Sequence, residues 1–214
     1  MTSEIVLSTF KKLKASMPMR GLFHQTLALK LFKRLILGAP VSMQSLALDM
    51  NCAKELVQSA LDELPAVYFN SNGDVESFWG LAINYKSPHV LIINGESTNT
   101  WCAWDALFIP SLVGERAEVK LTCPVTDHVN QLKLGREGIT ETSNEKAVIS
   151  FIVPDERTIN SIPNFCHYIH GFKSKEYFER WRADGKRKEC FSLTLQEAFE
   201  LGALKNQYQY GDVL

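Results

Sequence analysis

The chain has 214 residues, a formal net charge of −1, 45% hydrophobic and 22% charged residues. That balance lacks the basic excess of a general nucleic-acid binder, and no apolar run reaches the roughly 18 residues that a membrane span requires. The segment 1-MTSEIVLSTFKKLKASMPMR-20 interleaves charges with apolar residues and has no continuous apolar stretch of the secretory type, so a cytoplasmic protein is expected.

In chain order, the first strong signal is 23-FHQTLALKLFKRLIL-37. Phe23, Leu27, Leu31 and Leu35 recur at helical spacing there, with Lys30, Lys33 and Arg34 opposite. Gly38 and Pro40 end that helix. Ser42 is placed to cap a second, MQSLALDM. Asn51 is placed to cap a third, whose apolar stripe is Ala53, Leu56, Val57, Ala60, Leu61 and Leu64. AVYFN, the turn SNGD and VESFWG then read as a β-hairpin. Three helices and a hairpin suggest a winged helix-turn-helix-like module over 1–80. Its third helix sets Lys54 against Glu55, Asp62 and Glu63, a net negative charge that argues against a seat in a DNA groove.

From 81 to 214 the pattern is mixed helix and strand, and the fold class expected is α+β: the helical module followed by a mixed-sheet catalytic core with flanking helices. Candidate strands are LAINY, HVLII, AEVKLTC, NQLKL and AVISFIVP, the last apolar enough to be buried on both faces. A helix is expected from about Thr100, kinked or ended at Pro110. GREGITETSNEK, residues 135–146, reads as a polar surface loop. A helix over 174–185 follows, and then a final one opened by a Thr194/Glu197 capping box. Trp79 and Trp181 read as core.

The five cysteines, Cys52, Cys102, Cys123, Cys166 and Cys190, are odd in number and include no CxxC pair. A disulfide framework or a four-cysteine zinc site is therefore not expected. In 101-WCAWDALFIP-110, Asp105 follows Cys102 by three positions, which puts both on one helix face. A thiolate in a first helical turn gains from free backbone N–H groups. A carboxyl beside it in an apolar setting has its pKa raised and can serve as a general acid. The same spacing also occurs in ordinary packed helices, and spacing alone leaves both readings open. Cys166 in 165-FCHYIHGF-172 offers a second thiol. His167 and His170 beside it could be imagined as zinc or copper ligands, although packing roles fit their spacing better. Cys52 and Cys190 read as inert.

The run 101-WCAWDALFIPSLVGERAEV-119 resembles the signature segment of the organomercurial (alkylmercury) lyases, with their pattern Trp-Cys-Ala-x-Asp-x-Leu-x-x-Pro-x-Leu-x-Gly. Residues 165–172 are similar to that family's second cysteine segment. The resemblance implies that Cys102 and Cys166 are the mercury-binding catalytic cysteines, that Asp105 is the catalytic aspartate, and that Cys123 is structural. Many members carry a second cysteine where this chain has His167. Also implied are cleavage of R–Hg⁺ to R–H and Hg²⁺ without an organic cofactor, with Trp101, Trp104 and Phe165 forming an apolar pocket. Small organomercurials are then the substrates, and a mercuric reductase or small thiols take the released Hg²⁺. The rival readings are a protein that sequesters mercury or copper(I) without chemistry, and a metal-responsive DNA-binding regulator.

Overall fold

A computed structural model describes residues 2–17, 20–153, 165–185 and 187–214. Seven helices and eleven strands are assigned among them. Helices α1 (Glu4–Lys14), α2 (Leu22–Leu35), α3 (Met43–Met50) and α4 (Lys54–Glu63) come first, followed by the hairpin β1 (Val67–Phe69) and β2 (Val75–Phe78). Ser42 caps α3 as expected, its hydroxyl accepting from Ser45 N–H at 3.2 Å. Asn51 acts on the other side of the junction. It adopts the left-handed conformation that closes α3 (φ 49°), and Ala53 precedes α4 without a side-chain cap. The apolar stripe of α4 narrows to Val57, Ala60, Leu61 and Leu64, since Leu56 is 57% exposed.

Strands β3 (Leu81–Ala82), β4 (His89–Ile93) and β5 (Glu96–Thr100) lead into α5 (Asp105–Val113). Strands β6 (Ala117–Thr122), β7 (Val129–Leu134), β8 (Ile139–Thr142) and β9 (Val148–Phe151) follow. The chain then passes through β10 (Gly171–Phe172), α6 (Lys175–Asp184) and β11 (Phe191–Thr194) to α7 (Leu195–Tyr210). Every strand pairing among the described residues is antiparallel, in one sheet ordered β1-β2-β3-β5-β4-β6-β7-β8 and a second ordered β10-β9-β11. Helices beside antiparallel sheets make the class α+β, as expected. β6 and β7 alternate inward Val119, Leu121, Leu132 and Leu134 with outward Glu118, Lys120 and Lys133, the signature of a sheet with one wet face. β9 sits at the centre of the small sheet with all four residues buried, as its nearly unbroken apolar run implied. Pro154, the end of that run, lies outside the described residues.

Three expectations need correction. β5, 96-ESTNT-100, was absent from the predicted strands, although it joins β4 through Asn94 and Gly95, both at positive φ (53° and 86°), as a two-residue hairpin demands. β8 occupies part of the stretch read as loop, its Ile139 drawn into pairing with Leu134. Helix α5 begins at Asp105, not near Thr100, and carries Pro110 inside it. The capping box of α7 forms in full, with Thr194 Oγ1 accepting from Glu197 N–H and Thr194 N–H donating to the Glu197 carboxylate.

Candidate active site

Residues 101–104 form the turn from β5 into α5, and hydrogen bonds fix it from several sides. Trp101 N–H donates to Gly80 O at 2.8 Å, the Thr100 hydroxyl to Cys102 O at 3.0 Å, and Cys102 N–H to Asp105 Oδ2 at 2.9 Å. Cys102 therefore precedes the helix, and its thiol lacks the first-turn seat expected of it. Burial pushes that thiol well above its ordinary pKa, and the neighbouring Cys166 thiol and Asp105 carboxylate push the same way.

Phe165 and Cys166 are helical and lead into a turn closed by Tyr168 N–H on Phe165 O and Ile169 N–H on Cys166 O, both at 3.1 Å. Ser150 of β9 then holds the following backbone. Its hydroxyl donates to Tyr168 O at 2.7 Å and accepts from His170 N–H at 2.8 Å, while its own N–H donates to His170 O at 2.9 Å. One bond joins the two cysteine turns directly, from Ala103 N–H to Ile169 O at 3.2 Å. The result is a buried triangle. One ligand atom from each of Cys102, Asp105 and Cys166 lies within 4.8 Å of the other two, and among the described residues no other group of three or more such donors forms. The Cys166 thiol donates to Asp105 Oδ2 at 3.8 Å.

Burial raises the Asp105 carboxyl to about 6, against the pull of the Cys102 thiol, the Lys205 charge and the Cys102 amide. Cys166 is raised as well. The Cys102 thiol draws it down, but burial and the Asp105 carboxylate outweigh that effect. Lys205 was not singled out in the sequence, yet it is fully buried with its ammonium 3.7 Å from the Phe108 ring centre, and burial lowers it to about 7. A helical wheel finds it. Ala198, Leu201, Gly202, Lys205, Asn206 and Gln209 form one buried stripe on α7.

A cavity of about 520 Å³ reaches Cys166, with Tyr68, Ser77, His89, Trp101 and His170 among its walls. Cys102 is fully enclosed behind it. Trp104 and Phe165 pack edge-to-face at 6.2 Å, with the Trp104 indole N–H donating to Ala198 O at 2.9 Å. His167 is exposed, and His170 Nε2 contacts His167 O at 2.9 Å. Burial holds His170 down at about 4 and His89 at about 3. Cys52, Cys123 and Cys190 lie outside the triangle. Burial would push the Cys123 thiol up, but hydrogen bonds from the Thr126 hydroxyl and from the Lys173, Val125 and Thr126 backbone bring it lower.

The alkylmercury lyase family model (MerB) matches residues 84–205. An alkylmercury lyase of Staphylococcus epidermidis is 30% identical over 173 residues, spanning 80% of this chain and 77% of the relative. The chain belongs to the alkylmercury lyases. An alkylmercury lyase of Pseudomonas putida is 27% identical, with 84% of this chain and 82% of the relative aligned. The crystal structure of the mercury-bound form of MerB2 shares the fold, at a TM-score of 0.76 and 18% identity over 95% of this chain and 98% of that one. As an alkylmercury lyase the protein is an enzyme that cleaves carbon–mercury bonds, which replaces the sequestration and DNA-regulator readings. No described helix is long and apolar enough to cross a membrane.

Proposed function

We propose that Cys102, Cys166 and Asp105 carry out the protonolysis, with mercury as the substrate atom they grip. The observation that supports this most is the buried triangle of two thiols and one carboxyl, within 4.8 Å, open to a cavity through one of its sulfurs. Soft sulfur donors favour a soft metal centre. Cys166 faces the cavity, so it takes R–Hg⁺ first. An Hg–S bond forms, and the thiol proton passes to Asp105, whose Oδ2 already accepts it. Cys102 then adds from behind, enriching the electron density on mercury and on the attached carbon. Asp105 gives its proton to that carbon. The carbon–mercury bond breaks, R–H leaves, and the proton of Cys102 passes through Asp105 to solvent. Hg²⁺ remains between two thiolates. A carboxyl at about 6 suits this double role, since it both accepts and releases a proton near neutrality.

Small thiols or a mercuric reductase fit as acceptors of Hg²⁺, and a cytoplasmic setting fits thiols that must stay reduced. Residues 1–80 serve as the winged-helix-like module and 81–214 as the catalytic core. The test is methane release from methylmercury by headspace analysis. Cys102→Ser and Cys166→Ser abolish it, and Asp105→Ala lowers it by about 10²- to 10⁴-fold, the usual worth of a positioned acid, while still binding the mercurial. Methane release at the parent rate by Asp105→Ala would refute the proton-donor role.

A further inference from the structure

The cavity at Cys166 has one aromatic wall drawn from two distant parts of the chain. Trp101, next to Cys102, is half-buried, and its indole N–H donates to Ser77 Oγ at 3.0 Å. Ser77 in turn donates to Leu81 O at 2.9 Å, so the indole is fixed to the sheet. Tyr68, from the N-terminal hairpin, meets it edge-on, with ring centres 5.6 Å apart and planes at 71°. Both rings line the cavity, while Cys102 and Asp105 are closed off at 0% and 5% exposure. A group bonded to mercury at Cys166 therefore has room to project into this cavity, whose walls include Trp101 and Tyr68. At about 520 Å³ the space falls within the range of small-molecule sites and far exceeds the need of a methyl group.

We infer that the cavity is a subsite for aryl groups on mercury, and that Tyr68 is a specificity-determining residue supplied by the N-terminal hairpin. A phenyl ring seated there meets Trp101 and Tyr68 in the edge-to-face geometry that aromatic rings favour. Methyl, lacking a ring, gains nothing from Tyr68. This rests on the assignment of mercury to the Cys102–Asp105–Cys166 triangle.

The test compares kcat/KM for phenylmercury and methylmercury in the parent enzyme and in Tyr68→Ala, Tyr68→Leu and Tyr68→Phe. Taking the ratio cancels the intrinsic difference between the two carbon–mercury bonds. Tyr68→Ala and Tyr68→Leu each lower the phenyl-to-methyl ratio by about three- to tenfold, the worth of one aromatic contact, and Tyr68→Phe restores it. An unchanged ratio in Tyr68→Ala overturns the inference, as does a Tyr68→Leu variant that keeps the parent ratio. Since Tyr68 is 45% exposed, its truncation leaves the core intact. A parent enzyme that cleaves neither mercurial would instead overturn the mechanism on which the subsite depends.

Discussion

Asp105 is 5% exposed, and burial moves its carboxyl from an ordinary 3.8 to about 6. Between those two values the folded protein binds more protons than the unfolded chain, so its stability falls as the pH rises through that window. The full decline amounts to about 3 kcal/mol at neutral pH. Asp105→Asn removes the titrating group yet keeps an oxygen to accept from Cys102 N–H. We expect it to lose protonolysis to the same extent as Asp105→Ala, to be more stable than the parent at pH 7, and to be free of the decline between pH 4 and 6. Urea unfolding across that range measures it, and parallel stability profiles for parent and variant would contradict the charge penalty. Lys205 acts in the opposite direction on the same carboxyl, because its positive charge pulls Asp105 down. Lys205→Met therefore moves the acidic limb of the kcat/KM profile to higher pH; an unmoved limb would mean that the two groups are uncoupled in catalysis. The candidate triad of Cys102, Asp105 and Cys166 was suggested only through a resemblance, since Cys-x-x-Asp is also the spacing of plain core helices; what the structure adds is that the three side chains come together. Lys205 was not read from the sequence, although periodicity offered the signal, since it falls in one stripe with Ala198, Leu201 and Gly202.

At the level of elements, the turn between β2 and β3 decides where the carboxyl can stand. Trp79 and Gly80 both have positive φ, 39° and 97°, as a tight hairpin turn of this kind requires. A Cβ on Gly80 would lie 2.4 Å from Asp105 Cγ, so the missing side chain is what lets the backbone approach the acid. Gly80→Ala is expected to cost about 1–3 kcal/mol from strain at a special φ and to lose most protonolysis as Asp105 shifts. Gly73→Ala supplies the control, having a similar φ of 79° but nothing within 4 Å of its would-be Cβ. Equal losses of activity in the two variants would reduce Gly80 to a turn residue. Helices with sharp periodicity or a capping box could be read directly from sequence, and so could the alternating and fully apolar strands. β5 could not, because its inward residues are Thr98 and Thr100, which carry β-branched shape without hydrophobic contrast.

Across the whole molecule, Cys102 and Cys166, 64 positions apart, are brought together by backbone bonds and by the Ser150 hydroxyl. Ala103 to Ile169, and Ser150 to the 168–170 strap, leave almost no side-chain pattern that a reading of local sequence detects. The lone hint is a serine in an otherwise apolar strand. The same continuity runs through the rest of the fold. The N-terminal hairpin enters the large sheet through β2–β3 and β3–β5 pairing, and so shares hydrogen bonds with the strands around the site. At the far side, Ser3 Oγ donates to Glu197 Oε1 at 3.1 Å and Gln25 Nε2 to Asp212 Oδ2 at 2.9 Å, tying the first helices to the end of the chain. With one sheet spanning both segments, opening the hairpin strips β3 and the Trp101 turn of their partners. We therefore expect one cooperative unfolding transition in urea. Tryptophan fluorescence, far-UV circular dichroism and loss of protonolysis should share a midpoint, as a two-state unit requires. A separate early transition, with helical signal lost while the lyase still turned over methylmercury, would mean that the hairpin lends the cavity its wall without sharing the stability of the catalytic strands.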